Sequence, residues 1–235
     1  FEPVNSKNNA SAPFGLNEEE SKLFPETFID SKYGKIPFGW EIKSFEEIFD
    51  FKEGPGIRNW QYTYDGKGTN FINIRCINHG NIDVSSASQI SEQEANGKYK
   101  HFHLDVKDIV ISTSGTLGRY SIVRKKHLPL ILNTSVIRLR PKKNSNFSFL
   151  YGYVGTGLQK ELNLLATGAV QQNFGPMHLK MISLVVPPIS ILNLYEEKVK
   201  DFIEMKTQLL DEIDIIIEMK NNIFPQIMLN EIISK

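Results

Sequence analysis

The sequence predicts an α+β fold: a mixed, β-rich globular body followed by one long, coiled-coil-like α-helix. Three observations carry this prediction. β-branched runs bounded by turn residues dominate residues 70–141. A last run of this kind ends at Pro187 and Pro188, which cannot donate to a sheet ladder. From Ser190 to Asn222 there is neither Gly nor Pro, and apolar residues recur at helical spacing. The chain is therefore expected to divide into a connector (1–39), a body (40–189) and a long-helix segment (190–235).

The connector is polar, lacks apolar periodicity and contains Pro13 and Gly15. "IPFGW" (36–40) marks entry into the body: Pro37 and Gly39 turn the chain, and Trp40 calls for burial. "SFEEIF" (44–49) suits a short helix capped by Ser44, with Glu47 at the capping-box position. Strands are expected at "NFINIRCIN" (70–78), "DIVIST" (108–113), "RYSIVR" (119–124), "LILNTSVIRLRP" (130–141) and "MISLVVPP" (181–188). Residues 147–166 have helical spacing at Phe149, Tyr153, Leu158, Leu162 and Leu165, although three glycines lower the helix propensity.

In the final segment one apolar row is Tyr195, Phe202, Leu209, Ile216 and Ile223. A second is Val199 and Ile213, interrupted by Lys206 and Lys220; a third is Ile203, Leu210, Ile217 and Phe224. A helix of about 33 residues spans about 50 Å, more than a small body needs to cover itself. A second long helix from outside this chain is expected to meet the stripe. The contact positions would be Val199, Phe202, Leu209, Ile213, Ile216 and Ile223.

The formal net charge is zero, but its distribution is uneven. Residues 1–40 carry 6 acids and 4 bases, residues 41–189 carry 12 and 18, and residues 190–235 carry 9 and 5. From Ala95 to Lys143 there are 11 bases opposed only by Asp105 and Asp108. Such a local excess is the electrostatic footprint of a polyanion partner, or else a solubilising surface. A single cysteine, Cys76, excludes an internal disulfide and cannot alone build a zinc site. No apolar run approaches the roughly 20 residues of a membrane helix, and no signal peptide is visible. These features point to the cytoplasm, with no membrane partner. The start at Phe1, without a Met, points to a fragment or a trimmed product.

"TSGTLGR" (113–119) lacks the Lys-Ser/Thr ending of a nucleotide-binding loop. It suits a hairpin tip between two strands, where glycine is needed for the backbone alone. Its functional version would set amides, the Ser114 hydroxyl and Arg119 against phosphates. "LVVPPIS" differs from the adenine methyltransferase tetrapeptide because Val186 replaces the acid or amide and Ile189 the aromatic. His101 and His103 could share one strand face, but no cysteine or carboxylate joins them at ligand spacing. No Ser-His-Asp order, HExxH or nuclease-type acid cluster is evident.

"GPGIRNWQYTY" (54–64) combines planar and amide groups. Arg58 can pair bidentately with guanine, Asn59 or Gln61 with adenine, and Trp60, Tyr62 and Tyr64 can pack on sugar or base. "TGAVQQNFG" (167–175) offers Gln171, Gln172 and Asn173 on another loop. Either could be an ordinary polar loop; two amide-rich loops flanking a basic segment favour base-edge readout. Lys98, Lys100, Arg119, Arg124 and Lys125 are the candidates for phosphate contacts. Arg58, Asn59, Gln61, Tyr62, Arg75, Ser114, Gln171, Gln172 and Asn173 complete the candidate DNA-binding set.

The segment "LFPETFIDSKYGKIPFGW", with the polar stretch before it, resembles the connector that follows the central conserved helix in specificity subunits of type I restriction-modification systems. "DIVISTSGTLGRYSIV", "LNTSVIRL", "LATGAVQQNFGPMHLKMISLVVPP" and the terminal helix are similar, in order and spacing, to one target recognition domain and its conserved helical region. The resemblance implies a non-catalytic reader of double-stranded DNA. In that family two such domains, held apart by antiparallel helices, each read half of a split target. Methyltransferase subunits dock on the helices and restriction subunits complete the assembly. No cofactor is expected in this chain; the assembled complex would use S-adenosylmethionine, ATP and Mg²⁺. One recognition domain and one helix leave two possibilities open, the C-terminal half of a full subunit or a half-subunit that dimerises. The competing expectations are a stand-alone DNA-modifying enzyme and a helical interaction adaptor that does not bind DNA.

Overall fold

The computed structural model describes residues 15–78, 80–115, 118–166 and 174–233. The stretch expected to be a connector contains regular elements among its described residues. Helix α1 (Glu18–Lys22) is capped by Asn17, whose side chain accepts from the Glu20 amide at 2.9 Å. The hairpin β1 (Phe28–Ser31) and β2 (Gly34–Pro37) follows. β3 (Glu41–Ser44) leads into α2 (Phe45–Ile48), where the expected capping pair forms. The Ser44 amide and hydroxyl both donate to the Glu47 carboxylate, at 2.7 and 2.6 Å. Those bonds hold the Glu47 carboxyl below the usual carboxylate range.

β4 (Phe49–Glu53), β5 (Tyr62–Thr63) and β6 (Thr69–Ile72) come next, then the short hairpin β7 (Ile77–Asn78) and β8 (Asn81–Ile82). β9 (Ser88–Ile90) and α3 (Glu92–Asn96) precede β10 (Ile109–Ser112), β11 (Tyr120–Ile122), β12 (Leu130–Leu132) and β13 (Val136–Pro141). Helices α4 (Phe147–Gly155), α5 (Gly157–Ala166) and α6 (Pro176–Met181), strand β14 (Ser183–Val186) and helix α7 (Ile189–Ile233) complete the chain.

Three expected elements are broken, each by a residue that offers the backbone an alternative bond. The strand at 70–78 stops at Asn73, whose carboxamide accepts from the Arg75 amide at 2.9 Å and forms a turn. The strand at 130–141 is two strands parted by Asn133, Thr134 and Ser135, with Ser135 at φ 67°. The helix at 147–166 breaks at Thr156, between Gly155 and Gly157. The His101–His103 stretch is not a strand either: Lys100–Phe102 form a 3-10 turn, and His103 Nε2 lies 3.1 Å from the Ala95 carbonyl.

An antiparallel sheet in the order β11-β10-β13-β4 is the centre of the body, and a second sheet runs β12-β6-β9-β5. All four residues of β10 are buried, so the first sheet is covered on both faces. Ile109, Ile111, Ile137 and Leu139 meet Leu150, Val154, Leu158 and Leu179 from the helices. Val110 and Val136 meet Ile72, Leu130 and Leu132 of the second sheet. Each such side chain contributes about 1.5–3 kcal/mol on burial, enough to hold the strand ends, and the loops they carry, in fixed register.

The chain divides into two units after Lys198. Helix α7 runs for 45 residues, past the expected end at Asn222 and through Pro225. Pro225 has no N–H to donate to the carbonyl four residues earlier. In the second unit Phe202, Leu209, Ile213, Ile216 and Ile223 are exposed, and Val199 is half-buried.

Candidate nucleic-acid interface

Three loops, 54–61, 113–119 and 133–135, are tied together at one end of the first sheet, and the 73–76 turn is bonded to them as a fourth. β4 and β10 end there and β13 begins there, so the segments after Glu53, after Ser112 and before Val136 emerge side by side. Backbone bonds lock them: Gly54 N to Val136 O at 3.2 Å, Thr134 N to Pro55 O at 2.9 Å, and Thr113 N to Ser135 O at 3.0 Å. Phe174, which follows the 167–173 segment, donates its amide to Thr113 O at 2.9 Å. The buried Asn133 carboxamide accepts from Ile57 N at 3.2 Å and Thr134 N at 2.8 Å. Gly54 has no alternative, since a Cβ there would sit 2.3 Å from the Asn133 carbonyl oxygen.

The "TSGTLGR" hairpin joins the same end. Gly115 and Gly118 take φ of 68° and 77°, the left-handed region that favours glycine. Arg119 Nη2 donates to Ile74 O at 2.9 Å, which binds the tip to the 73–76 turn. Gln159 of α5 donates to Gly118 O at 3.0 Å from the other side. Arg119 therefore positions the tip with part of the guanidinium that was expected to meet phosphate.

The remaining predicted residues separate into those the structure gathers here and those it does not. Arg58 and Asn59 are exposed on the 54–61 loop, and Arg75 is exposed on the 73–76 turn. Ser114 is half-buried at the hairpin tip. Gln61 is buried and fully engaged: it donates to Glu94 and to the Tyr99 hydroxyl, each at 2.8 Å, and accepts from the Arg58 amide at 3.0 Å. It anchors the loop from beneath and is not available to read a base. Tyr62 is half-buried with its ring 5.0 Å from Phe71. Lys98 and Lys100 are exposed on either side of Tyr99, so the Gln61–Tyr99 bond places them beside the 54–61 loop. Gln171, Gln172 and Asn173 lie outside the described residues.

The basic segment Ala95–Lys143 does not form one cationic face. Arg124 is buried, with its guanidinium on Asn81, and is corrected from a phosphate contact to an internal brace. Arg138 is buried in an ion pair with Asp50, and burial pushes its pKa below the ordinary guanidinium value. Arg140 donates to Asp105 at 2.6 Å and Asp108 at 2.7 Å, and its bond to Asp108 raises its pKa. Lys125 is exposed but follows β11 at its far end, six residues beyond Arg119. At about 3.3 Å per residue it stands well away from the tip. The sequence shows these charges but not the internal carboxylates and amide that take three of them up.

Sequence reasoning missed Thr134 and Ser135, which it absorbed into a single strand. Thr134 is exposed and Ser135 half-buried in the middle of the four loops. The signal was present: "NTS" interrupts a β-branched run with residues that hydrogen-bond their own backbone. Among the described residues no group of three or more His, Cys, Asp or Glu could hold a metal ion.

Comparison with known proteins fits this architecture. The type I restriction enzyme HindI specificity subunit of Haemophilus influenzae is 22% identical over 221 residues, covering 91% of this chain and 47% of that protein. A specificity-subunit relative from Methanocaldococcus jannaschii is 21% identical over 210 residues, covering 86% and 48%. The chain thus spans about half the length of the curated relatives it matches. The crystal structure of the HsdS subunit from Thermoanaerobacter tengcongensis shares the fold at a TM-score of 0.55 and 16% identity, over 81% of this chain and 42% of that one. A chain from a structure of a type I restriction-modification system aligns at 0.51 and 16%, over 83% and 46%. Among the described residues no helix is long and apolar enough to cross a membrane. Residues 37–219 match the type I restriction modification DNA specificity domain, and the chain belongs to that family.

Proposed function

We propose that this chain is a sequence-specific reader of double-stranded DNA within a type I restriction-modification assembly. It recognises one half of a split target, performs no chemistry itself, and positions methyltransferase and restriction subunits that do. The observation that carries this reading is the convergence of four loops at one sheet end, with exposed Arg58, Asn59, Arg75 and Thr134 among them. Guanidinium and amide groups match the donor–acceptor pattern of base edges in a major groove. Lys98 and Lys100 flank the same loop as phosphate contacts, whereas Lys125 is too far from the tip to share that duplex segment.

The exposed apolar row Phe202, Leu209, Ile216 and Ile223, with Ile213, serves assembly. A second long helix covers it, from a dimer mate or from another part of a larger subunit. The S-adenosylmethionine, ATP and Mg²⁺ chemistry of such an assembly belongs to the other subunits.

Selection from a random duplex library tests the reading. Enrichment of one short sequence, with affinity falling steeply in salt, is the expected result. Each phosphate contact, Lys98 and Lys100 among them, would add about −0.9 to the log–log slope. No enrichment and a flat salt response would refute it.

A further inference from the structure

We propose that Trp60 is a stacking wedge that presses into the base stack of the bound duplex. The loop would then read how readily a base step opens as well as the edges of its bases. This inference rests on the DNA-reading assignment above and deepens it.

Trp60 and Tyr64 are the two most exposed large aromatic side chains among the described residues, at 80% and 86%. Trp60 sits in the middle of the 3-10 turn Asn59–Gln61. The chain is pinned on both sides of it. Ile57 is buried with its amide on Asn133, and Gln61 is buried under three hydrogen bonds. Gly54 packs backbone against backbone on Asn133. The ring is therefore held out in solvent by a firmly anchored turn. The chain's other tryptophan, Trp40, instead packs with Phe24, Ile191 and Leu194.

An uncovered indole on a fixed support is an anchor awaiting a partner. Its immediate surroundings choose that partner. Arg58 and Asn59 beside it are exposed, and Lys98 and Lys100 flank the Tyr99 that holds Gln61. An apolar protein surface would leave these cations and amides desolvated without partners. A duplex offers phosphates to the cations, base edges to the amide and π-faces to the indole. Apolar side chains that enter a base step unstack it, at a cost set by the step's own flexibility, lowest for pyrimidine–purine steps.

The test uses the full chain and the duplex enriched by selection, carrying 2-aminopurine at successive positions. The unaltered chain is expected to raise 2-aminopurine emission at one step. Trp60→Ala should abolish that rise and weaken binding about 10- to 100-fold. Trp60→Phe, which keeps a smaller aromatic face, should restore part of both, and thermal unfolding should be unchanged in both variants. A Trp60→Ala variant that keeps full affinity and the emission rise would overturn the wedge while leaving the DNA-reading assignment intact. A lowered melting temperature would also overturn it, by showing that the ring supports the fold. If the unaltered chain binds no duplex, the DNA-reading assignment fails and the wedge fails with it.

Discussion

Replacing Gly54 by alanine should damage both the fold and the site, by an amount the geometry allows to be worked out. An added Cβ would lie 2.3, 2.4 and 2.5 Å from the backbone O, C and N of Asn133. Ordinary contact begins at 3.4 Å, so the two backbones must part by about 1 Å. No rotamer change can absorb this, because the obstacle is main chain. Three hydrogen bonds cross the gap: Gly54 N to Val136 O, Thr134 N to Pro55 O, and Ile57 N to the Asn133 carboxamide. At about 0.5–1.5 kcal/mol net each, the loss of all three amounts to about 1.5–4.5 kcal/mol. For a chain of this size that lowers Tm by about 3–18 °C. Gly56 is the internal control. Nothing lies within 4 Å of its added Cβ and its φ is outside the left-handed region. Gly56→Ala should therefore be neutral or stabilising by up to about 1 kcal/mol. Urea and thermal unfolding of both variants, with target binding measured well below Tm, make the comparison. Equal stability of the two would refute the claim that this close approach sets the loop.

Lys98→Ala should reduce the salt slope of target binding by about 1, whereas Arg138→Met, which removes a buried base from its ion pair, should leave that slope unchanged. Titrations across a range of salt concentrations separate the two. Changing Leu209 and Ile216 to glutamate should abolish association through α7 without moving the unfolding transition of the body, as sedimentation and calorimetry would record. Glu47→Gln should flatten the acid limb of the stability curve. The folded-state pKa of Glu47 is depressed by Ser44, so its contribution is present above the unfolded carboxylate pKa of about 4.3 and is lost as pH falls through the lower folded value. Unfolding midpoints between neutral pH and the acid limb, compared with the unaltered chain, check this.

What the sequence made legible was whatever local pattern alone decides. The Ser44–Glu47 cap, the β10–β11 hairpin with its two left-handed glycines and the Gly- and Pro-free helix all follow from neighbouring residues. The long helix nevertheless ran beyond Asn222, because the pattern argument stopped at a proline that the backbone tolerates. Asn73 and Asn133 were hidden inside apparently continuous strands, since only their side-chain bonds to nearby amides end those strands. Charge was the least legible feature. Arg124, Arg138 and Arg140 look like a polyanion footprint in one dimension, yet each meets an internal partner from a distant part of the chain. Asn81, Asp50 and Asp105 with Asp108 are those partners. Conversely, Gln61 looked like a base reader and is a buried anchor, a role fixed by Tyr99 and Glu94, more than thirty residues away.

Hydrogen–deuterium exchange of the full chain, with and without the selected duplex, tests most directly which surface meets DNA. Protection concentrated at residues 54–61, 73–76, 113–119 and 133–135 is the predicted outcome. Protection centred on 105–108 and 124–127, at the other end of the sheet, with the four loops unchanged, would contradict the account.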